Sequence, residues 1–442
     1  MQEDKAFKTN DIRGIYPKEI NESLAYLIGK AIVYKFKPKV VVIGRDARAS
    51  SPLLFSSVVK GVLESGCDVI DIGLTNTPLF YYSVGELKAD FGIMITASHN
   101  PGQYNGFKLV KKGVVPTTAK EIQDIKNIIL EKKAISSKPK KLGKIIRKEI
   151  SEKYLKKLLS YSKIKKKLKV VVDTGNGMAA PIVSKAFSNL PISVIYINKK
   201  MDMIKPKHEA NPLKIETLKE LQKEVKKNKA DIGIAFDGDG DRVGFVDDNG
   251  EIIPMELITA LLAKYFLEKK PKSKIIYDIR SSNIVKETVL ASVGIPVEYK
   301  VGHSLIKKKM REINAVFAGE ISGHYYLPEF YYCEAPIFIS IILMNYLERE
   351  KLSKMILPFR KYYKSPEINY KIKNPEKKIK ELRNKYSSGK IKTLDGLKIE
   401  YPDWWFNVRG SHTEPLLRLN LEANTKELMV KKLKEIEDII KK

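Results

Sequence analysis

The sequence predicts three consecutive α/β domains with mixed, mainly parallel sheets and a C-terminal α+β domain, arranged around a central cleft. The chain has 442 residues, which is more than one hydrophobic core of ~100–150 residues organises. An apolar strand followed by a polar loop and a helix recurs along most of the chain, whereas the last part changes to short strands. The predicted domains are residues 1–147, 148–250, 251–361 and 362–442.

In the first domain, the predicted elements alternate in type. Residues 21–37 predict a helix with Asn21 as its N-cap, and Ser51-Pro52 opens a second helix that ends near Gly66. The apolar segments KVVVIG, CDVIDIG and DFGIMI predict strands, and a further helix is expected at about 117–133. This alternation is typical of a mainly parallel sheet covered by helices.

The second and third predicted domains repeat this pattern of strand, loop and helix, whereas the fourth does not. Residues 138–169 are rich in Lys and predict a linker with an exposed amphipathic helix. Strand–loop–helix patterns restart at KVVVDTGNGMAAP and at KIIYDIRSSNIVKETVLASVG, and two apolar strands enclose the acidic loop DGDGDR. The short strands INYKI and IKTLDGLKIEY and a final helix after Asn424 predict the α+β domain.

The composition of the chain limits the classes of protein to which it can belong. The formal charge of +29 raises the possibility of a nucleic-acid partner, but the Lys residues alternate with Glu along helices such as TLKELQKEVKKNK, which is typical of a solvated helix face. Two cysteines exclude a disulfide scaffold, no signal peptide is visible, and the apolar run 335–344 is shorter than the ~20 residues of a membrane span. We therefore expect a cytoplasmic protein, a monomer or small homo-oligomer, with no nucleic-acid or membrane partner.

Ser98 lies in the loop TASHNP after a predicted buried strand. A serine hydroxyl there is a candidate nucleophile, with His99 and Lys108 as nearby groups that could activate it. The alternative is an Asn-Pro turn in which Ser98 bonds to its own backbone, and these residues alone favour that alternative.

Three alternating carboxylates, Asp237, Asp239 and Asp241, form the second polar loop. All-oxygen ligands favour a hard cation, Mg²⁺ or Ca²⁺, and the intervening glycines allow the backbone to curl. An EF-hand loop is excluded because its sixth and twelfth positions are Arg242 and Asp248. Metal binding is favoured over an acidic hairpin turn, since close carboxylates repel one another without a cation.

Two further polar loops carry weaker signals. Glu320 and Ser322 in GEISGH point to the same side of an extended segment, as groups that bind sugar hydroxyls do, although a plain polar turn is the stronger alternative. Arg409, with RGSHTEP and Arg418, offers guanidinium and hydroxyl groups to a phosphate, and a solvated surface loop explains them equally well. Together, the four loops imply phosphoryl transfer on a sugar phosphate.

The motifs resemble the α-D-phosphohexomutase family, specifically its phosphomannomutase/phosphoglucomutase branch. FKTNDIRGIYP, TASHNPGQYNGFK, DGDGDR, VGHSLIKKKM, GEISGH and RGSHTEPLLRLNLEA occur in the family's order and span essentially the whole chain. The resemblance implies reversible transfer of a phosphoryl group between the 1- and 6-positions of mannose or glucose phosphate. It also implies a hexose 1,6-bisphosphate as intermediate and activator.

The resemblance also implies roles for individual residues. Ser98 would be the phosphoserine and would bind Mg²⁺ together with Asp237, Asp239 and Asp241. The groups implied near the reacting phosphate are Arg13, Lys108, Arg242 and His99, with Lys108 as general acid/base and His99 second. The groups implied to bind the sugar phosphate are Arg280, His303, Glu320, Ser322, His324, Arg409, Ser411, Thr413 and Arg418.

Three positions depart from the branch's pattern. Asn10 stands where an aromatic residue is frequent, Arg280 where Lys is common, and Cys333-Glu334-Ala335 where an Asp-Asp-Gly segment is usual. The alternatives within enzymes are a phosphoglucosamine mutase, which more often reads GTDGIRG and GEQSGH, and a sugar-phosphate phosphatase. The alternative of another class is a basic nucleic-acid-binding protein.

Overall fold

The structure is a computed structural model that describes residues 5–9, 11–133, 141–410 and 416–441. It divides into two compact units, Met1–Ile253 with Ser322–Ser353, and Pro254–Ile321 with Lys354–Lys442. The predicted fold class of three α/β domains and a C-terminal α+β domain is confirmed, while the exact domain boundaries stay predictions. Within the described ranges, no helix combines the length and apolar character needed to cross a membrane.

The N-terminal part of the first unit is a mixed seven-stranded sheet flanked by helices. Its elements are β1 (Ile12–Ile15), α1 (Glu22–Phe36), β2 (Val40–Arg45), α2 (Ser51–Leu63), β3 (Asp68–Leu74), α3 (Thr77–Glu86), β4 (Phe91–Ile95), β5 (Tyr104–Lys111), β6 (Val115–Pro116), α4 (Ala119–Leu130) and β7 (Ile145–Arg147). The strand order is β1-β5-β4-β2-β3-β7, with β6 beside β5. The pairs of β2 with β3 and β4 are parallel, whereas β5 is antiparallel to β1 and β4.

Local signals set the helices of this sheet. Asn21 caps α1 by accepting from the backbone N–H of Leu24 at 2.9 Å, as predicted. Thr118 and Glu121 form a capping box at the start of α4. The carboxyl ends of β2 and β4 lie side by side, because Arg45 pairs with Ile95. The polar loops after these two strands are therefore neighbours.

A second, five-stranded sheet completes most of the first unit. Its elements are α5 (Ser151–Leu159), β8 (Leu168–Asp173), α6 (Ala179–Phe187), β9 (Ile192–Ile197), α7 (Lys219–Asn228), β10 (Ile232–Phe236), β11 (Val243–Val246) and β12 (Ile252–Ile253). The order is β12-β11-β10-β8-β9. Strand β8 is parallel to β9 and β10, whereas β10 and β11 form a hairpin in which Phe236 pairs with Val243. The acidic loop closes that hairpin.

The third part of the chain contributes to both units. Its elements are α8 (Met255–Lys269), β13 (Lys274–Asp278), α9 (Asn283–Ala291), β14 (Ile295–Tyr299), α10 (His303–Ile313), β15 (Phe317–Gly319), β16 (Tyr325–Leu327), β17 (Cys333–Glu334), α11 (Pro336–Leu347) and α12 (Leu352–Ile356). In the second unit, β13 is parallel to both β14 and β15. In the first unit, β16 and β17 are antiparallel, and α11 is buried along nearly its whole length.

The C-terminal part is an antiparallel sheet with two helices. Its elements are β18 (Tyr363–Lys364), β19 (Ile368–Lys371), α13 (Pro375–Lys385), β20 (Lys390–Lys392), β21 (Leu397–Glu400), β22 (Trp404–Gly410), β23 (Leu416–Ala423) and α14 (Lys426–Lys441). The order is β18-β23-β22-β21-β20, and β19 also pairs with β23. Apolar side chains of β21, β22, β23 and α14 form its core.

Candidate active site

Ser98 follows β4 and is held in an unusual backbone conformation. Its φ is 53°, in the left-handed region, and the residue is only 3% exposed. The Thr96 hydroxyl accepts from the Ser98 backbone N–H at 3.0 Å. The Ser98 hydroxyl lies 3.1 Å from Asp237 Oδ2 and 3.2 Å from His99 Nδ1. A strained, buried hydroxyl between a carboxylate and an imidazole is typical of a functional site.

Arg48, which the sequence analysis did not single out, holds the Ser98 loop. Its guanidinium donates to the carbonyl oxygens of Ser98, Asn100, Pro101 and Tyr104 at 2.7–3.0 Å. Asp46 in turn accepts from Arg48 Nε at 3.1 Å. Both residues follow β2, so a charged pair directly after an apolar strand is the signal that could have identified them.

The acidic loop is folded around its first carboxylate. Asp237 Oδ1 accepts from the backbone N–H groups of Asp241 at 2.9 Å and Arg242 at 3.0 Å. The carboxylates of Asp237, Asp239 and Asp241 are buried, and each offers an oxygen within 4.8 Å of the others. Gly238 permits the close approach of the two loops, since a Cβ there would lie 2.6 Å from the Ser98 carbonyl oxygen.

The donor set fits a hard divalent cation. Burial, together with the neighbouring Asp241 and Asp239, raises the pKa of Asp237 well above its ordinary value. Asp239 Oδ1 is buried and has no hydrogen-bond partner among the described residues. A divalent cation would offset the mutual repulsion and satisfy that oxygen, which supports the predicted metal site.

Lys108 on β5 bridges two of the three carboxylates. Its Nζ lies 2.6 Å from Asp239 Oδ2 and 2.6 Å from Asp241 Oδ2. Burial alone would lower the pKa of Lys108, but Asp239 and Asp241 outweigh it and raise that pKa above its ordinary value. Thr77, at the start of α3, also donates to Asp239 Oδ2, at 2.5 Å, and was not singled out from the sequence.

Three more of the predicted residues surround this centre. Arg13 Nη1 donates to Asn100 in the Ser98 loop at 2.6 Å. Arg242 Nε lies 3.8 Å from Asp237 Oδ2. Burial, followed by the charges of Arg242 and Arg13, lowers the pKa of His99 well below its ordinary value, so His99 is neutral. The Ser98 hydroxyl therefore faces a neutral imidazole.

His324 joins the same cluster from the segment before β16. Its Nε2 lies 3.4 Å from Asp241 Oδ1 and 3.3 Å from Arg242 Nε, and its Nδ1 lies 2.8 Å from the Ser322 hydroxyl. Glu334, one of the departures from the family pattern, is buried and offers a carboxylate oxygen within 4.8 Å of His324 and Asp241.

A second group of predicted residues lies in the second unit. Arg280 donates to both oxygens of Asp278, at 3.1 and 3.0 Å, a two-pronged contact that the more common Lys could not make. Glu320 Oε1 accepts from the backbone N–H of Gly302 at 3.1 Å, and His303 begins α10 directly after it. Arg409 and Arg418 lie opposite each other on β22 and β23. Ser411, Thr413 and Asn10 lie outside the described residues.

Comparison with known proteins identifies the family. Four profiles of Phosphoglucomutase/phosphomannomutase match in order: alpha/beta/alpha domain I at residues 4–136, domain II at 152–250, domain III at 255–362 and the C-terminal domain at 367–439. A phosphomannomutase of Methanocaldococcus jannaschii is 39% identical over 99% of this chain and 97% of its own. The chain belongs to the phosphoglucomutase/phosphomannomutase family.

Further members of the phosphoglucomutase/phosphomannomutase family match over similar lengths. A phosphomannomutase/phosphoglucomutase of Pseudomonas aeruginosa is 37% identical over 95% of this chain and 92% of its own. The crystal structure of a family protein from Burkholderia thailandensis superposes with a TM-score of 0.92 at 31% identity, covering 100% of this chain and 97% of that one. The chain is therefore an isomerase of the phosphoglucomutase/phosphomannomutase family.

For this family member, the structure groups the predicted residues by unit. The first unit brings together Arg13, Ser98, His99, Lys108, Asp237, Asp239, Asp241, Arg242, Ser322 and His324. The second unit contains Arg280, His303, Glu320, Arg409 and Arg418. A cavity of about 240 Å³ in the first unit is lined by the Ser98 loop and Arg48, among others, and by Met203, Ile204, Pro206, Glu209 and Ala210. The side chains that sequence reasoning missed, Arg48, Asp46 and Thr77, support those that it found.

Proposed function

We propose that the chain catalyses reversible transfer of a phosphoryl group between the 1- and 6-positions of a hexose phosphate, mannose and/or glucose. The transfer passes through a phosphorylated Ser98 and a hexose 1,6-bisphosphate. The observation that carries the proposal is the buried Ser98 hydroxyl 3.1 Å from Asp237, in a unit that also collects Arg13, Lys108 and Arg242. Positive groups around a transferring phosphoryl stabilise the charge that it carries.

The bonds and protons of the proposed reaction are all accounted for within one catalytic cycle of two half-reactions. In the first half, the free hydroxyl of the hexose phosphate attacks the phosphorus, and the bond from phosphorus to Ser98 Oγ breaks. The hydroxyl gives up its proton to a base of the protein, and Ser98 Oγ takes a proton as it leaves. In the second half, Ser98 Oγ gives up its proton and attacks the phosphorus at the other end of the bisphosphate. The bond from that phosphorus to the sugar oxygen breaks, and the sugar oxygen takes a proton and leaves as the free hydroxyl of the product. Ser98 is then phosphorylated as at the start.

Two residues are suited to move these protons. Lys108 is the proposed general acid/base, and its contacts with Asp239 and Asp241 favour the protonated form, so it begins as an acid. His99 is neutral, and its Nδ1 lies 3.2 Å from Ser98 Oγ, within reach of the proton that this oxygen gains or loses.

Asp237, Asp239 and Asp241 would hold Mg²⁺ together with a phosphate oxygen on Ser98. When bound, the ion supplies charge neutralisation at the phosphoryl oxygens. Arg13 and Arg242 add fixed positive charge, and the buried position of Ser98 limits attack by water on its phosphoryl group.

The remaining predicted residues are assigned to substrate binding. Glu320 and Ser322 are proposed to bind sugar hydroxyls, His303 and His324 to line the substrate site, and Arg280 to contact the phosphate of the substrate. Arg409, Ser411, Thr413 and Arg418 are proposed to hold the phosphate that does not react. The bisphosphate must rotate between the two halves of the reaction to present its other phosphate to Ser98. Contacts to hydroxyls that lie near the axis of this rotation would serve both orientations.

The test is the activity of Ser98→Ala in a coupled assay with mannose 1-phosphate, glucose 1-phosphate and glucosamine 1-phosphate. We expect loss of mutase activity, together with loss of one phosphoryl group from the intact mass of the purified enzyme. Ser56→Ala, an exposed helical serine, is the matched control. Full activity of Ser98→Ala would refute the mechanism. A clear preference for glucosamine 1-phosphate, or release of free phosphate, would favour a phosphoglucosamine mutase or a phosphatase.

A further inference from the structure

Glu367, just before β19, lies among three arginines of the second unit and has no role in the mechanism so far. Its Oε2 accepts from Arg280 Nη1 at 3.3 Å, Arg409 Nη2 at 3.3 Å and Asn420 Nδ2 at 3.2 Å. Its Oε1 lies 3.8 Å from Arg418 Nη1. One carboxylate therefore contacts all the arginines that are proposed to bind substrate.

The strand register explains why a carboxylate is needed here. Arg409 on β22 and Arg418 on β23 are directly opposite each other, and like charges in that position destabilise a sheet. Strand β19 pairs with β23 so that Asn369 is opposite Arg418, which brings the preceding Glu367 beside both arginines. Burial alone would raise the pKa of Glu367, but Arg280 and Arg409 outweigh it and lower that pKa to about 2. The carboxylate is therefore ionised throughout the working pH range.

The arginines keep donors for a further anion. Arg409 Nε and Arg418 Nε are buried and have no hydrogen-bond partner among the described residues. Arg280 is held by Asp278 as well as by Glu367. Three guanidinium groups face two carboxylates, which leaves positive charge for a phosphate and also places a resident negative charge beside it.

We propose that Glu367 is a resident counter-ion of the phosphate subsite, which orients Arg280, Arg409 and Arg418 and limits how tightly they hold a phosphate. The inference rests on the proposed function, because it takes these arginines as the phosphate subsite. The bisphosphate must leave this subsite in every cycle to present its other end. Binding energy that is equal in all bound states slows that departure without speeding the chemistry.

The experiment compares Glu367→Gln with wild type by KM, kcat and the inhibition constant for inorganic phosphate. Glu367→Gln keeps an acceptor oxygen and removes the charge. We expect KM and the inhibition constant to fall about threefold to tenfold, the scale of one partly exposed charge contact, and kcat to fall with them. Glu427→Gln, at an exposed position, removes the same formal charge and should change none of these values.

Other outcomes overturn the inference. If KM and the inhibition constant rise while kcat is unchanged, or if none of the three changes, Glu367 does not limit phosphate binding. If Glu367→Gln does not fold, Glu367→Asp carries the test, because its carboxylate is withdrawn by one methylene. It should lower the inhibition constant about twofold, and an unchanged or raised constant refutes the proposal.

The variant Arg409→Gln tests the phosphate subsite independently of the role of Glu367. If it leaves KM and phosphate inhibition unchanged, the assigned phosphate subsite is wrong and the role of Glu367 falls with it, whereas the mutase reaction is refuted only by an active Ser98→Ala enzyme. If it raises both constants while Glu367→Gln changes nothing, only the role of Glu367 is refuted.

Discussion

At Gly238, the acidic loop packs directly against the backbone of the Ser98 loop. A Cβ at this position would lie 2.6 Å from the Ser98 carbonyl oxygen, and the obstacle is backbone, which cannot move aside cheaply. Gly238→Ala is therefore expected to push the acidic carboxylates away from Ser98. A displacement of about 1 Å costs about a hundredfold in rate, measured as kcat in the coupled mutase assay.

The control for Gly238→Ala is Gly113→Ala. Gly113 has a positive φ, of 72°, and an added Cβ there meets nothing within 4 Å. That variant carries backbone strain without disturbing the site, so it should lose some stability and keep its kcat. A Gly238→Ala enzyme with wild-type kcat would show that the two loops need not be in contact for catalysis.

The residues found from the sequence differ in kind from those that were missed. Ser98 and the three aspartates stand in loops whose local composition is unusual, so a single stretch of chain reveals them. Arg48 contacts Ser98, 50 positions away along the chain, and Glu367 contacts Arg409 and Arg280, 42 and 87 positions away. Their roles depend on which loops the sheets place side by side. The spacing of residues within one stretch of sequence does not predict that arrangement.

Elements were predicted best where local signals were strong. Helix α1 begins directly after its predicted cap, Asn21, and α14 occupies the predicted final helix. Strand β7 was missed inside the Lys-dense stretch that was predicted as a linker. Its apolar residues Ile145 and Ile146 are about half exposed, so no alternation marks it, and it exists because the edge of β3 offers hydrogen bonds. Likewise, the predicted exposed helix proves to bury Tyr154, Leu155 and Leu158.

The segment between β9 and α7 is held by a His–Asp pair. His208 Nε2 lies 3.0 Å from Asp173 Oδ2 at the end of β8, and Asn198 donates to the other oxygen of Asp173 at 3.1 Å. The hydrogen bond to Asp173 outweighs partial burial and raises the pKa of His208. The same segment lines the cavity beside Ser98.

This pair predicts a pH-dependent contribution to stability. The pKa of His208 is higher in the folded state than in the unfolded state. Its contribution to the stability of the fold is therefore fully present below the unfolded-state pKa of ~6.5 and is lost as the pH rises through the folded-state pKa. His208→Gln should therefore lower Tm by about 2 °C near pH 5.5 and by much less near pH ~9. The exposed Lys205→Gln is the control, and its Tm difference should not depend on pH. A His208→Gln difference that grows toward high pH would contradict the assigned sign.

For the whole molecule, the net charge of +29 is the feature that first suggested a polyanionic partner. In the structure, many lysines pair with carboxylates of the same domain, as Lys35 does with Asp124, Lys111 with Glu121 and Lys207 with Glu220. A smaller set of cations is buried, among them Lys108 in the first unit and Arg280 in the second. The excess positive charge would attract the negatively charged phosphate ester that members of this family use as substrate.

Long-range attraction between this charge and the substrate predicts a salt-dependent rate of capture. Raising KCl from about 0.01 M to about 1 M shortens the Debye length from ~30 Å to ~3 Å, so kcat/KM should fall about tenfold. The turnover number kcat should change little, because the contacts of a bound substrate are already short. Tm measured across the same series controls for unfolding, and progress curves at saturating and at limiting substrate separate the two constants. If kcat/KM stays constant while Tm stays constant, the net charge does not steer the substrate, and the surplus of lysine then reflects the solvated helix faces alone.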